Sequence, residues 1–217
     1  MDNNSYNNLY RKIETLYAEG ENKSKLLFHG WHHIKFVHDK AIEFAKEIGA
    51  DENLVAVAAL VHDINYIYTE DLDPAAAEVE SRGILSQLDE EEIDEIIEVV
   101  NTAHTANREG QNLSKEAMAL SDADTLFKAL PITPILFASN FIRQNKIDIK
   151  KLSEKIVSEQ GPLMESGQYF YTRTAKDNYM AWAETNLEMW KNVKESLEDD
   201  SIRQMLAIAE ENGVLDS

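Results

Sequence analysis

An all-α fold is what this sequence predicts, and three observations predict it. Glycine and proline are scarce, 8 and 4 in 217 residues, so few positions can break a helix. No run of β-branched residues alternates with period 2. Apolar residues instead recur at helical spacing through most of the chain. There is no internal repeat and no low-complexity linker, so the chain reads as a single domain, long enough to bury a core without staples.

The elements follow in order. Residues 1–24 read as an N-terminal helix. A helix starting near Trp31 carries Ile34, Val37 and Ala41 on one side. Asp51 is an N-cap for a helix over "ENLVAVAALVHDINY", and Asp73-Pro74 opens "AAAEVESRGILSQL" with proline at the first helical position. Asp89 and Glu92 have capping-box spacing before "IDEIIEVVNTAH". "SKEAMALSDADTLFKAL" is a further helix, ended by Pro131. "TPILFASNFIRQ" and "DIKKLSEKIVSEQ" follow, then "GPLMESG" as a loop. A long helix runs from about Thr174 to Leu197, and "SIRQMLAIAEEN" is a last short helix ending at Gly213. "REGQNLS" (108–114) is a loop within the domain.

Composition narrows function. Net charge is −19, a field that repels nucleic acid polymers and anionic membranes. A small anionic substrate would need a local positive device, and a metal ion is the most compact one. The acidic runs "LDEEEIDEIIE" and "ESLEDD" are solvated helix faces. There is no cysteine, hence no thiolate chemistry. The polar N-terminus carries no signal-peptide pattern and no apolar run is long enough for a membrane span, so a cytoplasmic protein is expected.

Several helices carry polar residues where apolar ones belong. "LVAVAALV" is apolar nearly all round, so its helix should be central, yet it ends in His62 and Asp63. Burying a carboxylate without a partner is costly. His104 continues the stripe Ile93, Ile96, Ile97, Val100 and should point inward; alone it reads as a core or helix-terminal histidine. Asp124 falls on the apolar face of Leu113, Ala117, Leu120 and Phe127, whereas Asp122 falls elsewhere as a solvated or hydrogen-bonding residue. In "LFHGWHHIKFVHDKA", His32 and His33 differ by about 100° of rotation and cannot both face one small site. His29 and His33 can share a face if the helix starts early, and His38 reads as a packing or surface histidine. Imidazoles and carboxylates gathered from several helices suit a divalent metal such as zinc, iron, manganese or nickel, and a helical bundle is a usual place to hold one.

The order His33, His62-Asp63, Asp124 resembles the HD superfamily of metal-dependent phosphohydrolases, whose signature is H…HD…D on an all-helical core. "FHGWHHIKFV" is similar to the family's YHxxxH segment, with His29 on its first histidine and His33 on the ligand. "AALVHDINY" is similar to the central helix ending in HD, and "LSDADTLFKAL" to the segment whose second aspartate is a ligand. "YFYTRTAKDNYMAWAETNLEMW" is similar to the late helix of bacterial and archaeal members. The resemblance covers about residues 25–195. It implies an HD domain over 25–197, preceded by the helix of 1–24 and followed by a C-terminal helix, 198–217, packed on the same domain.

The resemblance further implies that His33, His62, Asp63 and Asp124 hold one divalent metal per chain: manganese, iron, nickel, cobalt or zinc. A second magnesium, held mainly by water and a bridging Asp63, is compatible with it. A metal-activated water would attack a small phosphomonoester or nucleotide. His29 and His104 are candidates for phosphate contact or for protonating the leaving oxygen, and Lys128 and Arg173 are weaker phosphate-contact candidates. Two alternatives are an HD-type di-iron oxygenase and a catalytically silent nucleotide-binding or signalling module. The oxygenase departs from the pattern here, because only His104 lies between the HD pair and Asp124. Monomer and dimer are both open.

Overall fold

The structure is a computed structural model that describes residues 1–19, 25–68, 74–104 and 113–214. It is all-α, with no strand among the described residues. The helices are α1 (Asn3–Glu19), α2 (Trp31–Ile48), α3 (Glu52–Val61), α4 (Asn65–Tyr68), α5 (Pro74–Leu85), α6 (Glu90–Ala103), α7 (Lys115–Ala129), α8 (Ile132–Asn145), α9 (Ile149–Glu165), α10 (Arg173–Ser196) and α11 (Asp200–Glu211). A 3₁₀ turn, Lys25–Leu27, precedes α2.

Side-chain caps set many of the starts. Asp51 accepts from the backbone N–H groups of Asn53 and Leu54, Asp89 from Glu92, Ser114 from Ala117, Asp148 from Lys151 and Thr172 from Ala175. The expected cap Asp73 lies outside the described residues, as does most of the loop at 108–114.

The core forms where α2 and α7 pack along each other, with α3 against both and α6 closing on α3 and α7. Every residue of α3 from Val55 to Val61 is buried, as its all-round apolar surface requires. The α9–α10 pair docks through α10 onto α7. No single helix among the described residues is long and apolar enough to cross a membrane.

Two helix boundaries differ from the sequence reading. "GPLMESG" is mostly helical: α9 continues through Gly161 and Pro162 to Glu165. Proline there removes the N–H that would bond the Ser158 carbonyl, but Ser158 is exposed and water can replace it, while Leu163 is buried and holds the turn. The second difference is the end of α3. The helix stops at Val61, and His62-Asp63-Ile64 form a tight turn with i→i+3 bonds from Ile64 to Val61, Tyr66 to Asp63 and Ile67 to Ile64. His62 and Asp63 therefore project from a helix end, not a helix face.

His38 is buried against α1. Its Nε2 lies 2.5 Å from the Tyr6 hydroxyl, and its ring meets Tyr10 edge-on at 5.5 Å. His38→Ala is expected to cost about 1–2 kcal/mol in urea unfolding and to leave metal content unchanged. Loss of metal in that variant would contradict its purely structural placement.

Candidate metal centre

Three segments bring the four expected ligands together. His33 comes from the first turn of α2, His62 and Asp63 from the turn after α3, and Asp124 from the middle of α7. His33 Nε2 lies 3.3 Å from His62 Nε2, 3.2 Å from Asp63 Oδ2 and 3.6 Å from Asp124 Oδ1. His62 Nε2 is 3.4 Å from Asp63 Oδ2. Ligand atoms of His33, His62 and Asp124 all fall within 4.8 Å of one another.

The spacings of His33, His62 and Asp124 fit a shared cation, while Asp63 reaches His33 and His62 but stands outside that mutual 4.8 Å group. Donors held at about 2.0–2.2 Å from one ion sit roughly 3.0–3.6 Å apart. The tautomer of His62 also fits. Its Nδ1 lies 2.8 Å from the Ala59 carbonyl oxygen, which can only accept, so Nδ1 carries the proton and Nε2 offers its lone pair to the cluster. His33 Nδ1 is buried without a hydrogen-bond partner among the described residues, so its polar interactions run through Nε2.

The electrostatics favour two ionised carboxylates. Burial pushes Asp63 up, but the imidazoles of His62, His33 and His29 outweigh it and hold the carboxyl well below its usual range. Burial also opposes ionisation of Asp124, yet Lys128, His33 and His62 bring it down to about 2. Lys128 Nζ lies 2.7 Å from Asp124 Oδ2. Burial weighs against charge on Lys128, and Asp124 more than offsets it.

His62, Asp63 and Asp124 of this cluster line a cavity of about 360 Å³, and His33 is fully buried. His29, Tyr66 and Lys128 also line it, and Phe141, Leu152, Ile156 and Trp190 supply apolar wall. His29 sits just before α2, where Gly30 lets the chain fold tightly; a Cβ there would collide with the Leu26 carbonyl oxygen. The His29 ring stacks on Tyr66 with centroids 3.9 Å apart and planes 7° apart.

Burial pushes the His29 imidazole down to about 3, with Asp63 opposing and His33 assisting. The unfolded chain takes up this proton near the ordinary histidine pKa, and the folded protein refuses it until much lower pH. Stability of the metal-free protein should therefore fall as pH drops from about 6.5 towards 3, with His29 contributing at most about 1.4 kcal/mol per pH unit. Burial of His32 and His38 acts in the same direction. Urea unfolding at several pH values should give a shallower dependence for His29→Gln than for the parent.

The other candidates stand outside the cluster itself. His104 is not on the inward stripe of α6: the helix ends at Ala103 and His104 turns out with extended backbone, exposed at the cavity's edge. Arg173 is exposed at the start of α10, paired with Asp177 at 3.1 Å, and lines no part of the cavity. His32 stacks on Phe137 at 5.0 Å. Asp122 is not solvated. It is fully buried and accepts from the backbone N–H groups of Tyr171 (2.9 Å) and Thr172 (2.7 Å). Sequence reasoning passed over Tyr66 and Gln144, whose amide nitrogen lies 2.5 Å from His29 Nδ1. Their signals were a tyrosine one turn beyond His62 and two amides, Asn140 and Gln144, spaced four apart on α8.

Comparisons with known proteins agree with this geometry. Residues 30–128 match the HD domain family, a span that includes His33, His62, Asp63, Asp124 and Lys128. Among solved structures, a structural-genomics protein from Lactobacillus plantarum is 21% identical, with a TM-score of 0.63 over 89% of this chain and 98% of that one. Bacillus subtilis YpgQ in complex with ADP is 21% identical, with a TM-score of 0.59 over 88% and 96%. A second Bacillus subtilis YpgQ structure is 18% identical, with a TM-score of 0.55 over 89% and 97%. At such identities the likeness speaks for the fold alone. No curated protein matches the chain.

Proposed function

Starting from the HD domain that this chain carries, we propose that the protein is a metal-dependent phosphohydrolase acting on a small phosphomonoester or nucleotide. The observation that carries this reading is the convergence of His33, His62, Asp63 and Asp124 through contacts of 3.2–3.6 Å, three of them on the wall of a cavity that also holds Lys128, Lys155, His29 and His104. The four side chains would hold one divalent cation. When bound, such an ion supplies Lewis acidity towards water and phosphoryl oxygens.

The chain's own residues do the rest. Asp63 and Asp124, both ionised at neutral pH, balance the cation. Lys128 leans on Asp124 and reaches the same cavity, where its ammonium can meet a phosphate oxygen. His29 offers a neutral ring edge beside it. The cavity is large enough for a nucleotide-sized ligand, and its apolar wall suits an organic body over bare inorganic phosphate. YpgQ has been solved with ADP, which puts nucleotides first among substrates to try.

The test is a panel of phosphomonoesters and nucleotides offered to protein loaded separately with manganese, cobalt, nickel, zinc or magnesium. Release of phosphate or pyrophosphate is expected, with metal near one ion per chain. Lys128→Met should raise KM about tenfold or more while keeping the bound metal, because it removes a charge that meets substrate. No turnover on any substrate with any metal would sink the hydrolase reading and favour a silent binding module. Two irons per chain and oxygen consumption would favour the oxygenase.

A further inference from the structure

The environment of His29 contains a built orientation device. Gln144 of α8 is only 2% exposed, and both ends of its amide are engaged. Its Oε1 lies 3.2 Å from the backbone nitrogen of Phe28, and its Nε2 lies 2.5 Å from His29 Nδ1. The backbone N–H of Phe28 can only donate. The amide must therefore present its oxygen to Phe28 and its NH₂ to His29; the flipped amide would set two donors against each other. An NH₂ group can only donate, so His29 Nδ1 must accept, and the ring proton is placed on Nε2.

One turn earlier on α8, Asn140 donates to the Leu27 carbonyl oxygen at 3.1 Å. Two amides on one face of α8 thus grip the segment that carries His29, while Tyr66 fixes the plane of its ring. The Nε2 edge has no hydrogen-bond partner among the described residues, and His29 lines the cavity beside Asp63, Asp124 and Lys128.

From this geometry we infer that Gln144 is a positioning residue that locks His29 as an Nε2–H donor, so that His29 serves as a hydrogen-bond donor to a phosphoryl oxygen and not as a proton-transferring acid. The ligand class rests on the phosphohydrolase reading above; the tautomer does not.

Gln144→Glu separates the two. A carboxylate of nearly the same shape can still accept from Phe28, but its second oxygen needs a proton from His29 Nδ1. The variant keeps the contacts and reverses the ring's polarity. Gln144→Met, neutral and of similar length, removes both hydrogen bonds and guards against a folding defect from the added charge.

Long-range ¹H–¹⁵N correlation on metal-free protein, with His29 assigned through His29→Gln, reads the tautomer directly. The parent is expected to carry its proton on Nε2, Gln144→Glu to carry one on Nδ1, and Gln144→Met to populate both tautomers. Titration of zinc-loaded proteins with inorganic phosphate should then show affinity about tenfold lower or worse in Gln144→Glu, with zinc content unchanged. A proton on Nδ1 in the parent would overturn the lock. Phosphate affinity unchanged in a Gln144→Glu protein whose ring is protonated on Nδ1 alone would overturn the donor role; where that ring carries both protons, unchanged affinity in Gln144→Met decides the same point. If the zinc-loaded parent binds no phosphate at all, the hydrolase reading falls and takes the phosphoryl ligand with it, while the spectrum still decides the tautomer.

Discussion

His62→Ala is expected to reduce bound metal from about one ion per chain to background and to lower turnover by at least about 10³-fold, roughly 4 kcal/mol of transition-state stabilisation. The Nε2 of His62 faces both His33 and Asp63, and its orientation is held by the Ala59 carbonyl. Removing it deletes a lone-pair donor from the cluster. His32→Ala is the control, since that ring lies against Phe137 and outside the cluster. Metal analysis, circular dichroism and turnover on the same preparations check this. A His62→Ala protein that still holds stoichiometric metal would show that the cluster is not the binding site.

The second large effect concerns stability. Asp122→Ala should cost about 3–5 kcal/mol and lower Tm by roughly 10 °C, although the residue touches no cavity. Its carboxylate is fully buried and receives the backbone N–H groups of Tyr171 and Thr172, where the chain turns into α10. Alanine would leave these donors short of an acceptor in a dry interior. Asp122→Asn should fall between, because its oxygen can still accept while its NH₂ repels the other N–H. Thermal and urea unfolding would show it; a change under 1 kcal/mol would mean that the α10 junction is held by other contacts.

Asp124 and Asp122 illustrate what the sequence could and could not say. Periodicity located α2, α3, α6 and α7, because an apolar stripe is a local property of a few turns. It also marked Asp124 as inward-facing, and the H…HD…D order pointed to the residues that α2, α3 and α7 now bring together. Asp122 was legible only as polar, because its partners lie 49 and 50 residues away on the chain and are backbone groups, which no side-chain pattern reveals. His104 was misjudged because a stripe extrapolates a helix past its end, and α6 stops one residue short. Gly161-Pro162 suggested a loop by composition, yet exposure of the Ser158 carbonyl's neighbourhood to water and burial of Leu163 let the helix run on. Gln144 acts through the tautomer of another residue, a relation visible only once both amide ends have partners in space.

The stop after Val61 has a consequence for which cation the site attracts. Peptide dipoles along α3 add up to roughly half a negative charge at its C-terminal end, where His62 and Asp63 begin. Because Val55 to Val61 are all buried, little water is present along the helix to screen that field. The macrodipole and the two carboxylates therefore point the same way: Lys128 alone leaves the site with a negative surplus, and α3 deepens it. A doubly charged ion gains twice the attraction of a monovalent one from such a potential, so the helix end offsets part of the larger dehydration cost that a divalent cation meets on entering the site.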